Sequence, residues 1–166
     1  MGAGKTSVGK VLAQRLGWTF HDLDELIESR EQRSIAAIFG DLGESGFRKI
    51  EAEVLMELLE VSHRDAGSVV ALGGGAFVQP ENRDALQRAG AITVLLTAPL
   101  QELQQRTQAT DVRPLAADNE KFAKLFASRH AAYSQAQFKV ETGGKQVNQV
   151  AQEIEQILKE QLAIGS

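Results

Sequence analysis

The chain has 166 residues, about one domain's worth, with 43 % apolar and 24 % charged residues, near the averages for a globular protein with a sizeable core. Its formal charge of −4 argues against a general nucleic-acid binder, yet leaves room for a local anion site built from a few basic residues. The absence of cysteine excludes disulfides, thiolate metal sites and cysteine nucleophiles. There is neither an apolar run of roughly 18 residues nor a signal-peptide pattern, so a cytoplasmic protein with no membrane partner is expected.

The first element is helical. Val8, Val11, Leu12 and Leu16 recur at helical spacing from Ser7 to Leu16, and Gly17 closes the stretch. Trp18–His21 is β-prone and runs into Asp22-Leu23-Asp24. A helical pattern follows from Glu25 through Ile38 and Phe39, with a break near Arg33-Ser34. After Gly43, Phe47, Ile50, Val54, Leu55, Leu58 and Leu59 form one apolar stripe, and Arg48 and Glu51 are neighbours on that helix.

Ser68–Leu72 reads as a buried strand ending in Gly73-Gly74-Gly75. Pro80–Ala89 reads as a helix, Ala91–Leu96 as a buried strand, and Pro99–Arg106 as a helix with proline in its first turn. Residues 108–119 are polar and aperiodic, hold Arg113-Pro114, and are expected to form a mobile lid. Lys121–Tyr133 is helical, Phe138–Glu141 is a strand, Thr142-Gly143-Gly144 is a turn, and the apolar positions from Val147 to Leu158 mark a last helix. Continuously apolar strands alternating with helices predict an α/β fold with a parallel sheet covered on both faces.

Four groups of residues suggest chemistry. Gly4-Lys5-Thr6 supplies the last three fixed positions of the phosphate-loop pattern G-x-x-x-x-G-K-[ST]. In such a loop the backbone N–H groups and the following helix N-terminus face phosphate oxygens. The lysine reaches the β- and γ-phosphates, and the hydroxyl ligates Mg²⁺. A flexible N-terminal tail is the plain alternative. Asp22 and Asp24, two apart in an extended segment, would point to one side; an acidic helix start is the alternative. Three glycines after a buried strand suggest close approach of backbone to a ligand, where a tight turn would need fewer. Arg48, Arg113 and Arg129 are each ordinary as solvated side chains. Arg113 stands out because it sits in a polar loop that could close over a phosphoryl group. None of His21, His63 or His130 has a partner at metal-ligand spacing.

Taken in order, MGAGKT, HDLDELIE, GESGFRKIE, VVALGGGAF, DVRPL and ASRHAAY resemble shikimate kinase over nearly the whole chain. The resemblance implies one domain over 1–166. It would be a P-loop NTPase of the nucleoside-monophosphate-kinase-like type, a three-layer sandwich with parallel strands in the order 2-3-1-4-5. It implies transfer of phosphate from ATP to the 3-hydroxyl of shikimate, a step toward chorismate and aromatic amino acids, by a monomer using Mg²⁺. Position by position, Gly2, Ala3, Gly4, Lys5, Thr6 and Ser7 would bind ATP phosphates. Thr6 and Asp22 would serve the metal, and Asp24 would bind the accepting hydroxyl and act as base. Arg48, Arg129 and Gly73–Gly75 would bind shikimate, with Glu51 orienting Arg48. Arg113 would reach the transferred phosphate, while Arg106 and the loop near Lys145 would flank the adenine. The chain departs from the family at its front, where the first strand and first loop glycine are absent. That strand is the middle of the family's sheet, so two neighbouring strands are expected to lack a ladder partner. Two other readings stay open: another kinase of the same fold, such as a gluconate kinase, and a ligand-sensing domain of a transcriptional regulator.

Overall fold

The computed structural model describes residues 4–62, 67–103, 105 and 119–164. Helix α1 (Lys5–Leu16) starts at Lys5, two residues before the expected Ser7. Gly4 makes this possible: it stands in the left-handed region (φ 83°) that an L side chain avoids, and its carbonyl accepts the Val8 N–H at 2.9 Å. Strand β1 (Thr19–Asp22) passes directly into α2 (Leu23–Glu31). A long helical stretch, α3 (Ile35–Ser62), is interrupted at Gly43, whose φ of 68° and ψ of −175° break the helical path. Strand β2 (Ser68–Ala71) and helix α4 (Pro80–Arg88) follow. Next come β3 (Val94–Thr97), α5 (Asn119–Tyr133), β4 (Phe138–Glu141) and α6 (Val147–Ile164).

The strands form two parallel pairs, β1 with β2 and β3 with β4. Both pairings agree with the expected order on either side of its middle position. The facing edges of β2 and β3 carry no strand partner among the described residues. All four residues of β3 and the first three of β2 are accordingly only half-buried, although their composition suits strands covered on both faces.

Other boundaries also differ from the sequence reading. The strand expected at Ala91–Leu96 forms at Val94–Thr97, because its ladder with β4 begins at Val94↔Phe138. Ala91 instead closes the end of α4, its N–H bonding the Leu86 carbonyl at 3.0 Å. In the segment read as the Pro99–Arg106 helix, 100–103 are helical. The lid expected at 108–119 falls on undescribed residues up to its last position, Asn119, where α5 begins.

Two apolar clusters hold the elements. Leu23, Ile27, Ile38, Phe47, Val54, Leu55, Ala76 and Leu86 join α2, α3 and α4. Val8 and Leu12 of α1 pack with Val140 of β4 and Val150, Ala151, Ile154 and Leu158 of α6. Between α1 and β1 the contact is so close that a Cβ on Gly9 would lie 2.5 Å from the Phe20 ring. On the surface, Arg15 of α1 bonds Glu155 of α6 at 2.7 Å. Lys159 and Arg15 together hold the Glu155 carboxyl below the usual carboxylate range.

Candidate active site

Parallel pairing places the first half of the site. The register Asp22↔Ala71 brings the carboxyl ends of β1 and β2 side by side, so the chain leaving β1 and the glycines leaving β2 meet at one end of the pair. Ligands gather at that end of an open α/β sheet.

Asp22 and Asp24 do not point together as their spacing suggested. Asp22 has extended backbone and caps α2, its Oδ1 accepting the Asp24 N–H at 3.0 Å and the Glu25 N–H at 3.4 Å. Asp24 lies within the first helical turn, where residues two apart diverge. The two carboxylates thus serve different places. Asp22 Oδ2 accepts a hydrogen bond from the Thr6 hydroxyl at 2.9 Å. Asp24 Oδ1 faces the glycines, 2.9 Å from where a Cβ on Gly73 would stand.

Lys5, Thr6 and Ser7 occupy the first turn of α1, and no side chain caps that end. The positive dipole end of the helix favours an anion there. Among the described residues no group of three or more His, Asp or Glu could hold a metal. Mg²⁺ does not need such a group, since it keeps several waters and takes phosphate oxygens besides one or two protein oxygens. Thr6 and Asp22 supply two hard oxygen donors at one point, which fits that requirement.

The second half of the site surrounds Arg48. Its Nη1 donates to both oxygens of Glu51, at 2.8 and 2.9 Å, and Glu51 is 1 % exposed. Among the described residues Nη2 reaches only the exposed Glu44, at 3.5 Å, and Nε is buried with no hydrogen-bond partner. The Nε–Nη2 edge of the fork thus has donors to spare, and two parallel N–H bonds match a carboxylate. The guanidinium carbon lies 5.2 Å from the Phe47 ring centre, and Phe47 stacks on Phe39 with centroids 4.5 Å apart. Asp24, Arg48, Glu51, Gly73, Gly74 and Gly75, with Ile35, Phe39 and Phe47, line one cleft.

The glycines have a reason that sequence alone did not supply. A Cβ on Gly75 would lie 2.1 Å from Arg48 Nη2. The close approach that demands glycine is made by the site's own arginine and aspartate. Gly75→Ala is expected to push the guanidinium aside. The KM for an anionic substrate bound at its Nε–Nη2 edge should rise about tenfold, roughly 1.4 kcal/mol, and the melting temperature should fall as the Arg48–Glu51 pair is strained. Steady-state kinetics beside a thermal melt check this, and an unchanged KM would refute it.

Other expected site residues stand apart. Arg129 is half-buried on α5 but does not line the cleft. Lys145 follows β4, in the other strand pair, and its ammonium bonds Glu153 at 2.6 Å. Gly2, Ala3, Arg106, Arg113 and His63 lie outside the described residues. Tyr133, not assigned by the sequence reading, donates from its hydroxyl to the Gly74 carbonyl; its place at the end of ASRHAAY was the one available clue.

Comparison with known proteins shows the family and the fold. The profile of the family described as shikimate kinase matches residues 1–159. The shikimate kinase of Geobacter sulfurreducens is 44 % identical over 163 residues, covering 96 % of this chain and 87 % of that protein. A solved shikimate kinase from Acinetobacter baumannii in complex with shikimate superposes with a TM-score of 0.88 at 37 % identity, covering 97 % of this chain and 89 % of that one. The Aquifex aeolicus shikimate kinase gives a TM-score of 0.84 at 34 % identity, over all of this chain and 95 % of its own. A gluconokinase from Sinorhizobium meliloti, at 18 % identity and a TM-score of 0.64, shares the fold alone.

Proposed function

The chain belongs to the shikimate kinase family, with its P-loop NTPase fold, and on that premise we propose how its residues divide the work of phosphorylating shikimate with ATP. The observation that carries the assignment is the Nε–Nη2 edge of Arg48, held by buried Glu51 beside Asp24 and the glycines. Shikimate is a small polar ring bearing one carboxylate and several hydroxyls. An arginine fork suits the carboxylate, and a carboxylate across the cleft suits a hydroxyl.

Phosphoryl transfer asks the protein mainly for positioning and charge stabilisation. The N-terminal turn of α1 and Lys5 hold the ATP phosphates. Thr6 and Asp22 would hold Mg²⁺, which would supply positive charge against the ATP phosphates. Arg48 grips the substrate carboxylate, with Arg129 as a second cation for it. The backbone of Gly73–Gly75 forms the floor. Asp24 accepts the proton of the 3-hydroxyl as that oxygen bonds to the γ-phosphorus and the bond to the ADP oxygen breaks. Arg113, brought by the lid, stabilises the transferring group and helps keep out water, which competes as acceptor. Arg106 and Lys145 flank the adenine. Among the described residues no helix is long and apolar enough to cross a membrane, and we place the enzyme in the cytoplasm as a monomer.

An ADP-release assay with ATP, Mg²⁺ and candidate acceptors tests the proposal. Release should depend on shikimate and run at least about tenfold faster with it than with gluconate, a difference of roughly 1.4 kcal/mol in the barrier. Equal or greater turnover with gluconate would overturn the substrate assignment. Shikimate binding without turnover would favour the sensor reading.

A further inference from the structure

We propose that Tyr133 is a positioning residue for shikimate, a strut that fixes the Arg129-bearing helix against the glycine floor of the site. The inference rests on the shikimate kinase reading and adds a residue to it. Tyr133 is the last residue of α5, and its hydroxyl donates to the carbonyl of Gly74, 59 positions away in sequence. Four residues earlier on the same helix stands Arg129, and three before that stands Phe126. Positions separated by three, four and seven share one face of an α-helix. Phe126 packs against buried Leu103, so Arg129 sits between an apolar anchor on one side and a polar anchor on the other.

The polar anchor also acts on the floor. Gly74 and Gly75 are buried and line the cleft, and neither has a side chain to hold its conformation. The Gly74 carbonyl and the Gly75 N–H belong to one planar trans peptide unit. Holding the oxygen from the Tyr133 side therefore sets the direction of the N–H on the opposite edge. One hydroxyl thus orders two parts of the shikimate site that come from distant stretches of chain. The ATP-binding elements β1 and α1 make no part of this contact.

Tyr133→Phe removes the hydroxyl and keeps the ring. The KM for shikimate should rise about tenfold, the upper range for one lost hydrogen bond, while the KM for ATP stays within about twofold. In the substrate-free protein, amide hydrogen exchange over residues 73–76 should quicken by about tenfold as the floor loses its anchor. A melting curve read in parallel should show an intact cooperative fold. An unchanged shikimate KM, or an equal rise for both substrates, would overturn the positioning role. Unchanged exchange over 73–76 would overturn the strut whatever the acceptor is. A parent enzyme that ignores shikimate while the Phe variant still shows faster exchange would instead sink the functional reading and leave the strut standing.

Discussion

Replacing Arg48 by alanine is expected to weaken shikimate binding at least about a hundredfold, close to 2.7 kcal/mol, and to leave ATP affinity within about twofold. The asymmetry follows from where the residue sits. Arg48 lies on α3 beside the glycines that follow β2, whereas the turn proposed to bind ATP phosphates belongs to α1. The same change has a second consequence. Glu51 is 1 % exposed and both its oxygens are bonded to Arg48 Nη1. Without the arginine a buried carboxylate loses its paired cation, and breaking such a pair costs about 3–5 kcal/mol when both partners are buried. The Arg48 side chain is 16 % exposed, so the lower end of that range is expected. The double variant Arg48→Ala/Glu51→Gln separates the two effects. It should regain most of the lost stability and none of the shikimate affinity. Calorimetric titration with each substrate, beside thermal melts, reads both outcomes. Equal loss of shikimate and ATP binding in the folded double variant would make Arg48 a structural residue.

Asp24→Asn is expected to lower kcat by about 10²- to 10⁴-fold, the usual span for loss of a positioned general base. The fold should survive. The cap on α2 is the Asp22 side chain receiving the backbone N–H of Asp24, and an asparagine at position 24 keeps that N–H. The amide also keeps the shape beside Gly73, so the KM for shikimate should change little. Asp22→Asn should behave differently. Asparagine still caps a helix, but one charged oxygen at the metal point is lost, and the defect should shrink as Mg²⁺ is raised. Initial rates across Mg²⁺ concentrations distinguish the two. An Asp24→Asn enzyme with parental kcat would remove Asp24 from the chemistry.

Much of this site could be read before any coordinates. The apolar stripe of α3, the glycine run and the GKT sequence depend on local pattern, and local pattern survives folding. The sequence also placed Glu51 next to Arg48, because residues three apart on a helix are neighbours whatever surrounds them. The errors came where two local rules compete. Asp22 and Asp24 fitted either a strand pair or an acidic helix start, and the helix that begins one residue after Asp22 selects the second and turns them apart. The start of β3 was misplaced because a strand's end is set by its ladder partner, here Phe138, which lies 44 residues on.

The sequence by itself determined the element types, the parallel α/β class, the family resemblance and the residue kinds at each chemical position. These follow from periodicity, capping and spacing, which act over a few residues. Only the tertiary structure decided why Gly75 must lack a side chain, which edge of Arg48 is left for a ligand, and that Tyr133 reaches Gly74. Each of these is a contact between segments brought together by parallel strand pairing and helix packing. Distances of that kind are set by the whole core, and no window of sequence contains them.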